Sequence, residues 1–210
     1  MRFALSGRWF AAAATLAAGT AAVAPTASAQ SVTLSAFLTG RQKVPPVSTP
    51  ATGLGPLPYN QALGTMAVAL NVRGLTGTTV GVGPGSAPAH VHLAPPGANG
   101  PIVIPITLAP VGATSFNVGQ SFTFADLLAI GVTSANVTAL TTELNRLVAT
   151  IGTPVTPSLY FNVHTTAVPS GEIRGNLAVV PEPGTYALLG TGLAGLGVAA
   201  RRRRGLAGRA

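Results

Sequence analysis

The sequence predicts a mainly β fold, an antiparallel Greek-key sandwich or barrel that carries one inserted helix over about residues 135–150. Three observations lead to this prediction. Apolar residues alternate with polar or small ones in five segments, which is the period of a strand with one buried face. The segments between them are rich in Gly, Pro, Ser and Thr. A further segment has its apolar residues at helical spacing.

The five alternating segments are the predicted strands. Each places its apolar residues on one face of a sheet, because successive side chains of a strand point in opposite directions. Residues 102–104 (Ile-Val-Ile) are too apolar to assign to a face. The apolar members of the five segments are Val32, Leu34, Ala36 and Leu38; Met66, Val68, Leu70 and Val72; Ala89, Val91 and Leu93; Leu159, Phe161 and Val163; and Ile173, Leu177 and Val179.

The connections and the helix follow from turn-forming and helical patterns. Residues 45–60 are predicted to be a long loop, and residues 83–88 and 94–101 shorter loops of similar composition. The helix follows Thr133-Ser134 and ends before Gly152 and Pro154, which are typical start and stop signals. Its apolar residues are Val137, Leu140, Leu144, Leu147, Val148 and Ile151.

The charge of the chain is concentrated at its ends. The 210 residues include 12 basic and 4 acidic ones, for a net charge of +8. Residues 30–180, however, hold five basic and three acidic residues, a net charge of +2. A domain so poor in charge and aromatic residues does not fit nucleic-acid binding. The absence of cysteine excludes disulfides, iron–sulfur sites, thiolate zinc sites and a cysteine nucleophile.

The N-terminal residues 1–29 are predicted to be a secretory signal peptide. Arg2 and Arg8 form its positive region, and residues 9–24 form an uncharged, Ala-rich run. Ala27 and Ala29 flank Ser28 in a small-x-small site for signal peptidase, so Gln30 is the expected mature start. The alternative is an uncleaved N-terminal membrane anchor.

The C-terminal residues 180–210 carry a second targeting pattern. Pro181, Glu182 and Pro183 precede an uncharged run over residues 185–200 and then Arg201, Arg202, Arg203 and Arg204. As a helix the run spans about 24 Å, short of the ~30 Å hydrocarbon core, and snorkelling arginines cover the difference. The arginines are expected to stop in the cytoplasm, which leaves the prolines outside.

This three-part order resembles the PEP-CTERM sorting signal of Gram-negative bacteria. The resemblance implies transient membrane insertion, recognition and processing by an exosortase, and release to the cell surface or the exopolysaccharide matrix. The alternative is a permanent tail anchor.

Three polar motifs lie in the middle domain, residues 30–179, and they contain every histidine of the chain. They are 89–93 (Ala-His-Val-His-Leu), 160–165 (Tyr-Phe-Asn-Val-His-Thr) and 171–176 (Gly-Glu-Ile-Arg-Gly-Asn). The last two are predicted to form a hairpin with Val163 opposite Ile173, since one face must bury the apolar residues. In this register His164 lies opposite Glu172 and Asn162 opposite Arg174.

The motifs resemble the CHRD (chordin) domain family over about residues 32–177. The matching stretches are Leu38-Thr39-Gly40, Val44-Pro45-Pro46, His90-Val91-His92, Asn162-Val163-His164-Thr165 and Gly171-Glu172-Ile173-Arg174-Gly175. Lys43 departs from the family, which usually has an acidic residue before the Val-Pro-Pro segment. The resemblance implies the fold and the exported context, but the family has no settled biochemical activity.

The histidines form a candidate metal site. On one strand, His90 and His92 point to the same face, about 6.5–7 Å apart along the chain. If its strand lies beside that of His90 and His92, His164 would complete a three-histidine site suited to Cu(II) or Zn(II). Glu172 would then hold its other nitrogen, with Asn162 and Arg174 close by. The pattern loosely resembles copper/zinc superoxide dismutases, but it lacks a fourth histidine and the zinc-site aspartate. The alternative is that the histidines are half-buried and hydrogen-bonded, beside a Glu172–Arg174 ion pair.

Two functions remain open from the sequence. The first is an exported, non-enzymatic CHRD-domain protein that acts as a structural or binding module toward a matrix polymer or a surface protein. The second is a secreted copper- or zinc-binding protein, with a metal-dependent redox activity, that uses His90, His92 and His164. No hydrolase, phosphate-loop or dinucleotide fingerprint is present in the sequence.

Overall fold

The structure, a computed structural model, describes residues 31–181 and 190–196. Residues 31–181 form strands and two helices along the chain. These are β1 (Ser31–Thr39), β2 (Thr52–Asn60), β3 (Thr65–Arg73), β4 (Ala89–Leu93), β5 (Ile102–Pro105), β6 (Phe116–Thr123), α1 (Phe124–Ala129), α2 (Ser134–Ala149), β7 (Leu159–Val163), β8 (Ile173–Asn176) and β9 (Ala178–Val179). Short 3-10 turns lie at Gly40–Gln42 and Pro84–Ser86.

All nine strands belong to one curled, antiparallel sheet. The order is β5-β4-β7-β8-β1-β2-β3-β6, and β9 adds to β1. The prediction of a mainly β, antiparallel fold is confirmed. This order places β4, β7 and β8 side by side, so the three polar motifs of the sequence share one part of the sheet.

The predicted helix is also present. α2 begins one residue before the predicted start and ends one residue before the predicted end. Its N-terminus is capped by the Thr133 hydroxyl, which accepts a hydrogen bond from the Asn136 N–H. Leu140, Leu144 and Leu147 are fully buried and join the core formed by the strands. α2 packs against β1, β5 and α1.

The prediction of a long loop over residues 45–60 is wrong for its second half, which is β2. This strand pairs with β1 over its whole length. Its prolines are tolerated because Pro56 and Pro58 lie where the ladder to β3 is interrupted, so their missing N–H groups break no bond there. Gly55 lets the strands approach, because a Cβ at this position would lie 2.8 Å from the Ala69 carbonyl oxygen.

The sequence analysis also missed β6 and α1. β6 pairs with β3 over eight residue pairs, and its buried residues Phe116, Val118 and Phe122 do lie at the strand period. α1 follows at once, with a reciprocal capping box between Thr123 and Asp126. Both signals were short and lay next to each other, so neither stood out from the surrounding turn-rich sequence.

The hairpin of β7 and β8 has the predicted register. Val163 pairs with Ile173, and Asn162 pairs with Arg174. The sequence pattern implied one buried face, but every residue of β7 is buried. The polar face of this hairpin is therefore enclosed by loops, and the charged and polar side chains on it lie in the interior.

Candidate metal centre

The three histidines come from two adjacent strands. His90 and His92 lie on β4, and His164 directly follows β7. β4 pairs with β7 so that His90 is opposite Asn162 and His92 is opposite Tyr160. Because side chains at alternate positions share a face, His90, His92, Tyr160, Asn162 and His164 project from the same side of the sheet.

These histidines converge in the interior. His90 is fully buried, and His92 and His164 are 8% and 6% exposed. One ring nitrogen of each residue lies within 4.8 Å of the others. The ring centroids are 5.0 Å apart for His90 and His164, and 5.7 Å apart for His90 and His92. The arrangement is close enough for small side-chain rotations to bring all three rings onto one ion.

Backbone carbonyls fix the tautomer of each ring. A carbonyl oxygen can only accept a hydrogen bond, so the ring nitrogen that meets it carries the hydrogen. The carbonyls are those of Val82, 3.1 Å from His90 Nε2; Gly100, 2.9 Å from His92 Nδ1; and Pro169, 2.7 Å from His164 Nδ1. In each neutral ring the other nitrogen therefore presents a lone pair.

Two of these lone pairs are buried and unused. His90 Nδ1 and His92 Nε2 have no hydrogen-bond partner within the described residues. The third, on His164 Nε2, accepts a hydrogen bond of 3.0 Å from the Asn162 amide. A buried acceptor without a partner costs roughly 1–3 kcal/mol, so such a pair in one cluster calls for an explanation. A bound cation is the partner that two adjacent nitrogen lone pairs would suit.

The three imidazole rings are neutral rather than protonated, which is the form that binds metals. Burial, with repulsion from the neighbouring histidines, lowers the pKa of His90 to about 3. Burial also lowers the pKa of His92 to about 4, and the pKa of His164 below its usual value. All three rings are thus neutral at pH 7, which is the form that ligates metals.

Lys43 is a buried cation beside the histidines. Its ammonium donates to Asn162 Oδ1 at 2.9 Å and to the Ser170 carbonyl at 3.0 Å. Burial and the charge of Arg174 lower the pKa of Lys43 to about 8, so most of the population is still charged at pH 7. Asn162 thus connects a positive charge to the third histidine, His164.

Arg174 is a second buried cation, and it is stacked rather than paired with an acid. Its guanidinium carbon lies 3.5 Å from the centre of the Tyr160 ring, and that ring stacks on His92 with centroids 4.9 Å apart. The remaining contacts of Arg174 are hydrogen bonds to the carbonyls of Ala98 and Pro95 and to the side-chain oxygens of Asn99 and Asn176.

The sequence predicted that Glu172 would bond to His164, and the structure shows that it does not. Its side chain is fully buried, and its oxygens accept hydrogen bonds from Thr49, Thr76 and Thr165 instead. The reason is positional, since Glu172 lies before β8 in the turn and the Pro169 carbonyl already occupies His164 Nδ1. The expected Glu172–Arg174 ion pair is likewise absent from the described contacts.

Sequence reasoning missed several parts of this site. Lys43 was noted as a departure from the family pattern but was given no role. Tyr160 lies two residues before Asn162 on the same strand face, so its position was detectable from the alternation alone. The carbonyls of Val82, Gly100 and Pro169 leave no signal in the sequence, because any residue supplies a carbonyl.

Comparison with protein families identifies the domain. Residues 34–177, well over half of the chain, match the family model described as the CHRD domain. The chain belongs to the CHRD domain family. All three histidines and the Gly-Glu-Ile-Arg-Gly stretch of this CHRD protein lie inside the match. The searches of curated proteins and of solved structures gave no match to it.

A second family model, the PEP-CTERM protein-sorting motif, matches residues 179–204 of the CHRD protein. This motif indicates processing by an exosortase, with export and sorting to the cell surface in Gram-negative bacteria. Pro181 is exposed, one residue beyond Val180, whose N–H donates to the Thr33 carbonyl at 2.8 Å. The first proline of the Pro-Glu-Pro triplet therefore comes directly after this contact with the sheet.

Several predicted elements lie outside the described residues. They are Ala27 and Ala29 of the signal peptide, Glu182 and Pro183 of the sorting motif, and the cluster Arg201, Arg202, Arg203 and Arg204. Of the predicted membrane run, the structure describes residues 190–196, which are helical. Among the helices in the described part of the chain, none has both the length and the apolar character needed to span a membrane.

Proposed function

We propose that the CHRD domain of this exosortase-sorted surface protein binds one copper or zinc ion through His90, His92 and His164. The proposal rests on the pair of buried, unpartnered nitrogens, His90 Nδ1 and His92 Nε2. They belong to a cluster in which one ring nitrogen of each of the three histidines lies within 4.8 Å of the others. A purely structural histidine cluster would be expected to satisfy these nitrogens by hydrogen bonds, as buried polar groups usually are.

The surrounding groups fit the role of holding metal ligands. Metal-binding histidines commonly donate their second ring N–H to a carbonyl or a carboxylate, which fixes the ring orientation. The carbonyls of Val82, Gly100 and Pro169 do this for all three rings. Asn162 must release His164 Nε2 for that nitrogen to act as a ligand. Because His90 is fully buried, we propose metal binding rather than turnover of a substrate at the ion.

The test is metal stoichiometry. The purified protein, stripped with a chelator, then incubated with Zn(II) or copper and dialysed, should retain one ion per chain. H90A should retain less than a tenth of that, because the loss of one of three ligands removes most of the chelate. N117A, an exposed substitution on β6, should behave as wild type.

Thermal unfolding would verify that H90A is folded. The proposal fails if the folded wild-type protein retains no stoichiometric metal, or if H90A retains as much as wild type.

We further propose that the protein is released into the exopolysaccharide matrix after exosortase removes its C-terminal tail. Support comes from the PEP-CTERM match and from the exposure of Pro181 at the end of the sheet. Intact-mass analysis of the matrix fraction should show a protein that lacks Arg201 to Arg204. E182A should shift the protein to the membrane fraction with its tail intact. An arginine cluster retained on matrix protein would contradict this destination.

A further inference from the structure

The candidate site combines neutral ligands with nearby positive charge. The metal-binding cluster in the described residues consists of three histidines and includes no carboxylate. Lys43 is separated from His164 by one side chain, Asn162. Arg174 is separated from His92 by one ring, Tyr160. Glu172, an acid of the same motif, has both oxygens engaged by threonines.

This charge arrangement distinguishes between metal ions. Two like charges repel in proportion to the product of their charges, and the repulsion is weakly screened in the interior. A divalent ion therefore loses twice as much binding free energy to Lys43 and Arg174 as a monovalent ion does. Moving a dication into a buried site without an anionic ligand is also more costly than moving a monocation.

We infer that the three-histidine site selects Cu(I) over Zn(II) and Cu(II). The inference rests on the proposed metal binding and specifies its ion. Imidazole is a suitable ligand for copper, and Cu(I) needs only two or three ligands. Zn(II) held by three histidines takes a fourth ligand, usually water. The site offers three such ligands, and on two of them one ring nitrogen, His90 Nδ1 or His92 Nε2, has no hydrogen-bond partner among the described residues.

The first measurement compares affinities for Cu(I) and Zn(II) on the purified wild-type protein. Competition with chromophoric chelators gives both constants, with Cu(I) handled anaerobically under reductant. We expect the Cu(I) dissociation constant to be lower than that of Zn(II) by about tenfold, an advantage of about threefold from each of the two cations.

The second measurement removes one charge. K43M keeps the length of the side chain but not its charge, so it should tighten Zn(II) binding more than Cu(I) binding. The Cu(I) preference should thus narrow by about threefold. Any structural effect of losing the contacts to Asn162 and Ser170 acts on both ions and cancels in the ratio. R73M, an exposed substitution on β3, is the matched control and should leave the ratio unchanged.

N162D gives an independent test if K43M does not fold. It places a carboxylate beside His164 Nε2 and should also narrow the preference for Cu(I). If wild type binds Zn(II) as tightly as Cu(I), or if K43M and N162D leave the ratio unchanged, the inference is overturned while the metal site stands. If neither ion binds, the proposed function itself fails.

Discussion

Glutamine in place of Glu172 should lower the free energy of unfolding by about 3 kcal/mol at pH 7. The carboxylate is fully buried and accepts four hydrogen bonds. Oε1 takes three of them, from the Thr49 hydroxyl and from the N–H and hydroxyl of Thr76, and Oε2 takes the fourth from Thr165. An amide can accept only on its oxygen, so E172Q turns an N–H₂ donor toward at least one existing donor. Urea unfolding at pH 7 measures the loss.

The pH dependence gives this prediction a second readout. Burial alone would raise the pKa of Glu172, but the hydrogen bonds from Thr49, Thr76 and Thr165 outweigh it and lower the pKa. The folded state therefore binds the proton more weakly than the unfolded state, whose pKa is about 4.3. The stabilisation is complete above that value and is lost as pH falls through the lower folded pKa.

The wild-type stability should consequently fall more steeply than that of E172Q as pH decreases below about 5. E143Q gives the comparison for losing another buried acid, since Glu143 in α2 is bonded to Arg146 and the Ser158 N–H and its pKa is lowered as well. Equal slopes for wild type and E172Q in this range would show that Glu172 contributes no such stabilisation.

The sequence was sufficient for features that depend on local periodicity. Alternation located β1, β3, β4, β7 and β8, and parity of burial fixed Val163 opposite Ile173. It failed for β2, where glycines and prolines occupy a strand because β1 supplies one complete ladder. Local composition indicated a loop there, and the pairing that overrides composition is not local.

Some features of the candidate site could likewise be predicted from local sequence, whereas others depend on contacts between distant segments. The sequence predicted that His90 and His92 share one strand face, but their convergence with His164 depends on the pairing of β4 with β7, which the sequence did not predict. The partners of Glu172 could not be anticipated, because Thr49 and Thr76 arrive from loops about 100 residues distant in the chain. Proximity to His164 in the hairpin suggested a contact that the turn geometry does not make.

The second large effect is expected for R174M, which should lower the free energy of unfolding by about 3 kcal/mol. Two effects oppose each other. The buried guanidinium has no carboxylate partner, so its removal relieves a desolvation cost, and methionine fills part of the volume. Removal also leaves the carbonyls of Ala98 and Pro95 without their charged donor and ends the stacking on Tyr160. The lost contacts should dominate, because R174M removes four hydrogen bonds and the stacking contact at once.

The loss should be concentrated in the loop of residues 94–101, which Arg174 ties to β8. Hydrogen exchange in R174M should accelerate at the Gly100 N–H, which donates to the Tyr160 hydroxyl at 3.2 Å. The Asp126 N–H, which donates to the Thr123 side chain in the cap of α1, should exchange at the wild-type rate. R73M, which removes an exposed arginine, should change stability by less than about 0.5 kcal/mol. The Gly100 carbonyl also orients His92. Faster exchange in this loop of R174M would therefore link the stability of the fold to the geometry of the proposed metal ligands, whereas unchanged exchange would show that the two are independent.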